Sequence, residues 1–371
     1  MDAHFLKRHL GAKVWIAYKP PKKGASAMKI TTIGIDLAKS VFQIHGVDKH
    51  GKAVLRKSLK RSQMAEYFVK LAPCLIGMEA CGGAHYWARK LRSYGHAVKL
   101  MAPQFVKPYV KTNKNDMADA EAICEAVSRP NMRFVPIKTE EQQAILSVHR
   151  ARSGFVKART AQANQIRGLL SEFGIVLNPG IRTLIKQMPE ILEDGENGLP
   201  MAMRPLLERL VEHLKALDQQ VGDLEKEIHQ WHRENEASVR LEAIPGVGPL
   251  TASAIVATVG NASEFSNGRQ LAAWLGLVPR QHSSGGKQTL LGISKRGDTY
   301  MRTLLIHGAR SVIRYVESKA DEASWLHKVT VRRNKNVAAV ALANKNARTI
   351  WALLAHQRTY HPDYAAAKAT A

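Results

Sequence analysis

The sequence predicts a mixed fold, an α/β amino-terminal domain followed by a mainly helical remainder, and three observations carry that expectation. Short β-branched runs alternate with helical spacings as far as Val127. An unbroken apolar repeat, with alternating steps of four and three, runs from Met203 to Trp231. Beyond Arg240 the chain turns to alanine-rich stretches punctuated by glycine. A length of 371 residues suffices for two or three domains that each bury a core.

Residues 1–27 lack periodicity and end in Pro20-Pro21-Lys22-Lys23-Gly24, so they read as a basic extension before Met28. Ile30 to Asp36 and Val41 to Val47 are apolar, β-branched runs. Asp48-Lys49-His50-Gly51 supplies a turn, from which Ala53 to Leu59 pairs back as a third strand. Ser62 to Leu71 has helical spacing, Cys74 to Met78 is a short buried strand, and Ala84 to Tyr94 is a helix. Ala97 to Met101 follows as a strand and Asp116 to Val127 as a helix. A three-strand meander followed by helix, strand, helix, strand and helix is the order of a ribonuclease H-like nuclease fold. It is expected over residues 28–138.

Residues 139–240 form the expected middle segment. A long basic helix covers 140–172, with Arg150, Arg152, Lys157, Arg159 and Arg167 set among Ala, Val and Leu. Met203, Leu207, Leu210, Leu214, Leu217, Val221, Leu224, Ile228 and Trp231 then make an a/d heptad seam, which predicts a coiled coil joining subunits. The alternative is an amphipathic helix that packs inside its own chain. Residues 241–371 hold the last domain, with helices over Leu250 to Val259, Arg269 to Leu275, Thr299 to Glu317 and Lys335 to His356, and a frayed tail from Ala365 to Ala371.

Composition narrows the function classes. Lys and Arg number 55 against 31 Asp and Glu, a net charge of +24. An excess of that size points to a polyanionic partner, because basic side chains release condensed counterions on binding phosphates. A hydrophobic content of 45% excludes a wholly disordered basic tail. No apolar run approaches the ~20 residues that span a bilayer, and no signal peptide is evident, so no membrane is expected and the cytoplasm, at the nucleoid, is the expected location. Cys74, Cys81 and Cys124 lack a C-x-x-C spacing and read as buried thiols of a reducing compartment.

Four carboxylates stand where such a fold can converge them. Asp36 ends the first strand in Gly34-Ile35-Asp36, and Glu79 ends the fourth in Gly77-Met78-Glu79. Asp116 and Asp119 are three apart at a helix start and share a face. Together they could cage two Mg2+ ions, which activate a nucleophile and stabilise the leaving oxygen in phosphodiester cleavage. Each has an ordinary reading as well, Asp116 as a helix cap and Asp36 as a turn residue.

Two further stretches carry chemistry. Ile244-Pro245-Gly246-Val247-Gly248-Pro249 enters a helix through a Gly-x-Gly turn, where Gly246 and Gly248 could offer backbone N–H groups to a phosphate. That is the hairpin of a helix-hairpin-helix element; a plain glycine turn between packed helices is the alternative. Farther on, Ser283-Ser284-Gly285-Gly286 reads as an exposed, flexible loop among Arg280, Lys287, Lys295, Arg296 and Arg302. These cations could clamp phosphate, and a serine there could attack DNA and hold it as a phosphoserine ester. Ser-Gly-Gly is also an ordinary loop sequence.

Taken together, Gly34-Ile35-Asp36, Met78-Glu79, Asn115-Asp116-Met117-Ala118-Asp119, Pro245-Gly246-Val247-Gly248, Gly276-Leu277-Val278-Pro279-Arg280, Ser284-Gly285-Gly286 and Lys295-Arg296-Gly297 resemble the transposases of insertion-sequence family 110, the DEDD transposases similar to Piv invertases. The resemblance runs from Met28 to about Leu354. It implies a RuvC-like amino-terminal domain with Asp36, Glu79, Asp116 and Asp119 as its tetrad, a coiled-coil connection, and a carboxyl-terminal transposase domain. It implies a catalytic serine in Ser-Gly-Gly, which places it on Ser284 with Ser283 as a one-residue ambiguity. It also implies DNA as donor and target, guidance by a structured RNA from the element, and action as a homodimer or homotetramer in which one subunit's carboxylates meet another's serine. A structure-specific or Holliday-junction nuclease would need the tetrad but no serine. A non-catalytic nucleic-acid-binding protein would need neither.

Overall fold

Strand β1 (Thr32–Asp36) is buried along all but its last residue, as a central strand covered on both faces must be. The structure, a computed structural model, describes residues 29–111, 115–319 and 325–362. The expected basic extension and the expected carboxyl-terminal tail lie outside the described residues. The chain divides into two compact units, Met1–Phe134 and Val135–Ala371.

In the first unit β1 pairs antiparallel with β2 (Val41–Val47), and β2 antiparallel with β3 (Ala53–Lys60). The turn between β2 and β3 is tied by Asp48, whose Oδ1 accepts from the N–H of His50 at 2.8 Å and of Lys52 at 3.0 Å. Helix α1 (Met64–Lys70) leads to β4 (Leu75–Glu79), which lies parallel to β1 on its other side. Helix α2 (Ala84–Ser93) crosses to β5 (Ala97–Met101), parallel to β4. The short α3 (Pro103–Val106) and α4 (Asp116–Val127) follow, and β6 (Phe134–Val135) completes a sheet ordered β3-β2-β1-β4-β5-β6. Because β1 and β4 run parallel, their carboxyl ends emerge at one sheet edge, where ligands bind in open α/β sheets.

Two glycines seat α4 on that sheet. Gly34 and Gly77 are register partners. A Cβ on Gly34 would come within 2.1 Å of the Ala120 carbonyl oxygen, and one on Gly77 within 2.7 Å of Val127 Cβ. The helix therefore lies closer to the strands than side chains would allow. Cys74 and Cys124 are buried, and burial pushes the Cys124 thiol up to about 12. Cys81, expected among the buried thiols, is exposed because it lies in the turn that follows β4.

Among its described residues the second unit is helical apart from one hairpin. Helix α5 (Glu140–Ser171) starts in a capping box: the Thr139 hydroxyl accepts from Gln142 N–H at 3.1 Å, and the Gln142 side chain accepts from Thr139 N–H at 2.9 Å. Helix α6 (Ile181–Glu193) and α7 (Arg204–Glu234) come next. Leu207, Val211 and Leu214 of α7 share a core with Ala163, Ile166 and Leu170 of α5 and Leu184 and Met188 of α6. Arg152 pairs with Glu225, Arg159 with Asp218, and Gln162 with His213, so the two long helices run antiparallel. The heptad seam is thus covered inside its own chain, against the expectation of a seam left open for another subunit. Its apolar face finds in α5 and α6 the partner that the sequence pattern leaves unspecified.

Helices α8 (Glu236–Glu242), α9 (Pro249–Val259), α10 (Gly268–Trp274), α11 (Thr299–Lys319), α12 (Trp325–Arg332) and α13 (Lys335–His356) build a further core around Ile255, Leu271, Leu305 and Ile350. Between α10 and α11, β7 (Pro279–Ser284) and β8 (Lys287–Ile293) form an antiparallel hairpin. Among the described residues no helix is long and apolar enough to cross a membrane.

Candidate functional site

The register and the two glycines converge three carboxylates. Asp36 is the last residue of β1, and Asp116 and Asp119 lie in the first turn of α4. One carboxylate oxygen from each falls within 4.8 Å of the others. The cap of α4 is Asn115, whose side chain accepts from Met117 N–H at 3.0 Å, so Asp116 is not the cap. Asp36 belongs to the strand rather than to a turn. Glu79 ends β4 and lies near enough for its charge to be felt: burial, then Asp36 and Asp119, raise its carboxyl above the usual range. Glu79 itself falls outside the 4.8 Å group. A set of hard carboxylate oxygens around one point is the ligand chemistry of a hard divalent cation rather than of a thiophilic metal, and a bound dication would offset the carboxylate repulsion that adds to burial in raising Glu79.

The serines occupy strands, not the flexible loop expected. Gly285 and Gly286, with φ of +54° and +78°, make the two-residue turn whose twist suits a hairpin. Ser283 pairs with Gln288 and Ser284 with Lys287. Successive strand residues point to opposite faces, so the two hydroxyls are not interchangeable. Ser283 Oγ accepts from the Gln281 side chain at 2.9 Å, whereas Ser284 shares its face with His282 and sits opposite Lys287. Arg280, Lys287, Lys295 and Arg296 are exposed around this hairpin.

Arg302 departs from the expected phosphate clamp. It is only 7% exposed, and its guanidinium donates to the carbonyl oxygens of Leu275 (3.2 Å), Arg296 (2.8 Å), Gly297 (3.1 Å) and Asp298 (3.3 Å) and to the Thr299 hydroxyl. It holds the two ends of the hairpin together. The four carbonyls share the Nη1 hydrogens and the hydroxyl takes one from Nη2, a planar spread that a lysine could not reproduce.

The glycine turn lies between α8 and α9, and its glycines serve different ends. Gly246, at φ +85°, packs against the backbone of Gly308 in α11. Gly248 is the residue before α9 and has open space where a side chain would be. A cavity of about 490 Å³ opens beside it, lined by His229, Thr251, His307, Arg310 and Arg314 among others.

One cluster escaped sequence reasoning. His149, fully buried in α5, lies 3.0 Å from the Tyr300 hydroxyl through Nδ1 and 3.1 Å from Ser253 Oγ through Nε2. Ser253 donates in turn to the Pro249 carbonyl at 2.6 Å, so it accepts from Nε2–H, and Nδ1 accepts from Tyr300. Burial holds this imidazole down to about 4. A single histidine among apolar helix positions carries no sequence signal of such a role.

Comparison with known proteins gives a consistent picture. Residues 33–175 match a family model described as Transposase and named for the DEDD transposases of IS110, and residues 238–324 match the Transposase IS116/IS110/IS902 family. The chain is 55% identical over 337 residues to a probable family 20 transposase of Pseudomonas aeruginosa, covering 90% of this chain and 100% of that protein. It is 48% identical to the transposase for insertion sequence element IS1111A of Coxiella burnetii (91% and 94% covered) and 45% identical to that for IS1328 of Yersinia enterocolitica (87% and 96%).

Proposed function

The chain belongs to the IS110 family of transposases, and on that premise we propose that it cuts and rejoins DNA strands with a metal-bound carboxylate tetrad and a serine nucleophile. The observation that carries this reading is the convergence of Asp36, Asp116 and Asp119 at the sheet edge, with Glu79 raised by burial and then by Asp36 and Asp119. The strand order, with β1 between an antiparallel meander and parallel β4 and β5, supports a ribonuclease H-like, RuvC-like domain.

Asp36, Glu79, Asp116 and Asp119 would hold Mg2+, which supplies Lewis-acid activation of a phosphodiester and charge neutralisation at its oxygens. Ser284 Oγ attacks a strand phosphorus, an O–P ester forms, and the P–O bond to the departing strand breaks. The serine proton passes to a base, and the departing oxygen takes one up. His282, on the same hairpin face, is within the chemistry of such a base. The ester keeps the phosphate activated, so a second strand can displace the serine without external energy. Arg280, Lys287, Lys295 and Arg296 neutralise the phosphoryl oxygens, and the Gly246–Gly248 turn with its basic cavity holds backbone phosphates as a helix-hairpin-helix element does.

The net charge of +24 supports polyanionic partners, DNA as substrate and a structured guide RNA beside it. The acting form in this reading is a homodimer or homotetramer. The test is cleavage of element-end DNA in Mg2+ by Asp36→Asn and Glu79→Gln proteins. Both should bind DNA as the parent does and cut at least about a hundredfold more slowly, the lower end of the range seen when a catalytic stabiliser is removed. Normal cleavage by the double variant would overturn the reading.

A further inference from the structure

A groove of about 770 Å³ opens in the amino-terminal unit between the start of β2, the turn from β3 into α1, and α2. Lys39, Lys60, Arg61 and Lys90 line it, and no carboxylate does. Its aromatic residues are Tyr86, 43% exposed, and Trp87, 3% exposed. The Arg61 guanidinium lies 5.7 Å from the Trp87 ring centroid. The Lys90 ammonium lies 5.6 Å from that of Tyr86 and donates to the Tyr86 hydroxyl at 3.2 Å. Tyr86 meets Trp87 edge-on, with centroids 5.2 Å apart, so its ring is held in place. The Trp87 indole N–H is buried without an acceptor among the described residues.

Cations beside aromatic rings, with the tyrosine ring part-exposed, make the chemistry that binds single-stranded nucleic acid. Bases stack on the ring and phosphates meet the cations, without regard to sequence. A duplex keeps its base faces covered and cannot use the ring. We propose that this groove binds an unpaired stretch of the DNA strand being cut, with one base stacked on Tyr86 and the flanking phosphates on Lys39, Lys60 and Arg61. The choice of DNA rests on the proposed cleavage at the carboxylates. Lys39 follows Asp36 by three residues, so their Cα atoms are at most about 11 Å apart. Tyr86 lies in the helix that the chain enters directly after Glu79. A strand in the groove therefore runs alongside the carboxylates.

Photo-crosslinking tests this on the full-length protein with an iodouracil-substituted single-stranded oligodeoxynucleotide, followed by peptide mapping. An adduct on Tyr86 is expected, and it should vanish in Tyr86→Ala. In fluorescence anisotropy Tyr86→Ala should weaken the same oligonucleotide at least about fivefold, Tyr86→Phe should restore it, and a duplex of the same sequence should be held unchanged. The Lys39→Ala/Lys60→Ala pair should reduce the slope of log affinity against log salt by about 1.4. Adducts confined to other sites, equal losses for duplex and single strand, or tighter binding of the matching oligoribonucleotide would each overturn the proposal. None of these readouts requires cleavage. An Asp36→Asn protein that still cuts would remove the proposed chemistry and leave the groove standing. Parent-like binding by Tyr86→Ala would remove the groove and leave the carboxylates.

Discussion

Gly34 lies across from Gly77 in the parallel pairing of β1 with β4, and α4 packs on both. The pair sets the height of the helix that carries Asp116 and Asp119 above the strands that carry Asp36 and Glu79. Gly34→Ala should therefore cost about 3 kcal/mol or more, because its Cβ would overlap the backbone at Ala120 and Cys124. Gly77→Ala should cost somewhat less, because its Cβ would meet Val127 Cβ at 2.7 Å, an atom no rotamer change moves, rather than backbone at 2.1 Å. Urea denaturation checks both, and a neutral Gly34→Ala would mean that the helix is not seated as described.

Ser284→Ala should bind nucleic acid as the parent does, yet form no covalent protein–DNA adduct and no recombinant product. Ser283→Ala, whose hydroxyl faces the other side with Gln281, should be much milder. Denaturing electrophoresis of labelled DNA reads the adduct. An adduct lost only in Ser283→Ala would move the nucleophile to the opposite face, and one kept in both variants would end the serine chemistry.

His149 should make the second unit acid-sensitive. Its folded value is about 4, below the ordinary 6.5, so the folded state binds fewer protons than the unfolded state between those limits. The contribution is complete above about pH 6.5 and is lost as pH falls toward 4, reaching about 3 kcal/mol. Urea midpoints measured across that window should fall for the parent and fall less steeply for His149→Gln. Identical slopes would remove His149 as the source.

Leu214 is fully buried and Leu217 nearly so, within the chain. Replacing both with Asp buries unpaired charge and should abolish cooperative folding, rather than releasing folded subunits. Circular dichroism with light scattering distinguishes the two. A folded variant of lower mass would make the seam a contact between subunits after all.

Much of this was legible in the sequence. Strand ends and the heptad seam show because periodicity records which face of an element is buried. It does not record what covers that face, which is why the α7 seam reads equally as a contact between chains or within one. Gly34 and Gly77 were visible as letters beside the acids, but their contact with α4 joins positions roughly ninety and fifty residues away. Gly285-Gly286 between short polar runs is itself a hairpin signal, but Ser-Gly-Gly is equally a loop sequence, and only the pairing with Lys287 and Gln288 decides between them. Arg302 and Arg280 look alike in a basic stretch, yet only the fold separates an arginine enclosed by carbonyls from one open to phosphate. The groove around Tyr86 has no motif, because its residues come from three separate elements.

The hairpin has a mechanical consequence. Its first strand spans six residues, so Ser284 stands at the tip of an arm about 20 Å long. Among the described residues the arm is held at its root, by Ser294 N–H to the Val278 carbonyl (2.8 Å), Lys295 N–H to the Gly276 carbonyl (3.2 Å), the Asn344 side chain to the Leu277 carbonyl (3.2 Å) and the Arg302 clasp. A sway of about 0.1 radian there moves the hydroxyl by about 2 Å, beyond the tolerance of the in-line attack proposed for it. Aim is therefore imposed where the tip lands. Loosening the root through Arg302 would blur the choice of phosphate before it slowed the chemistry.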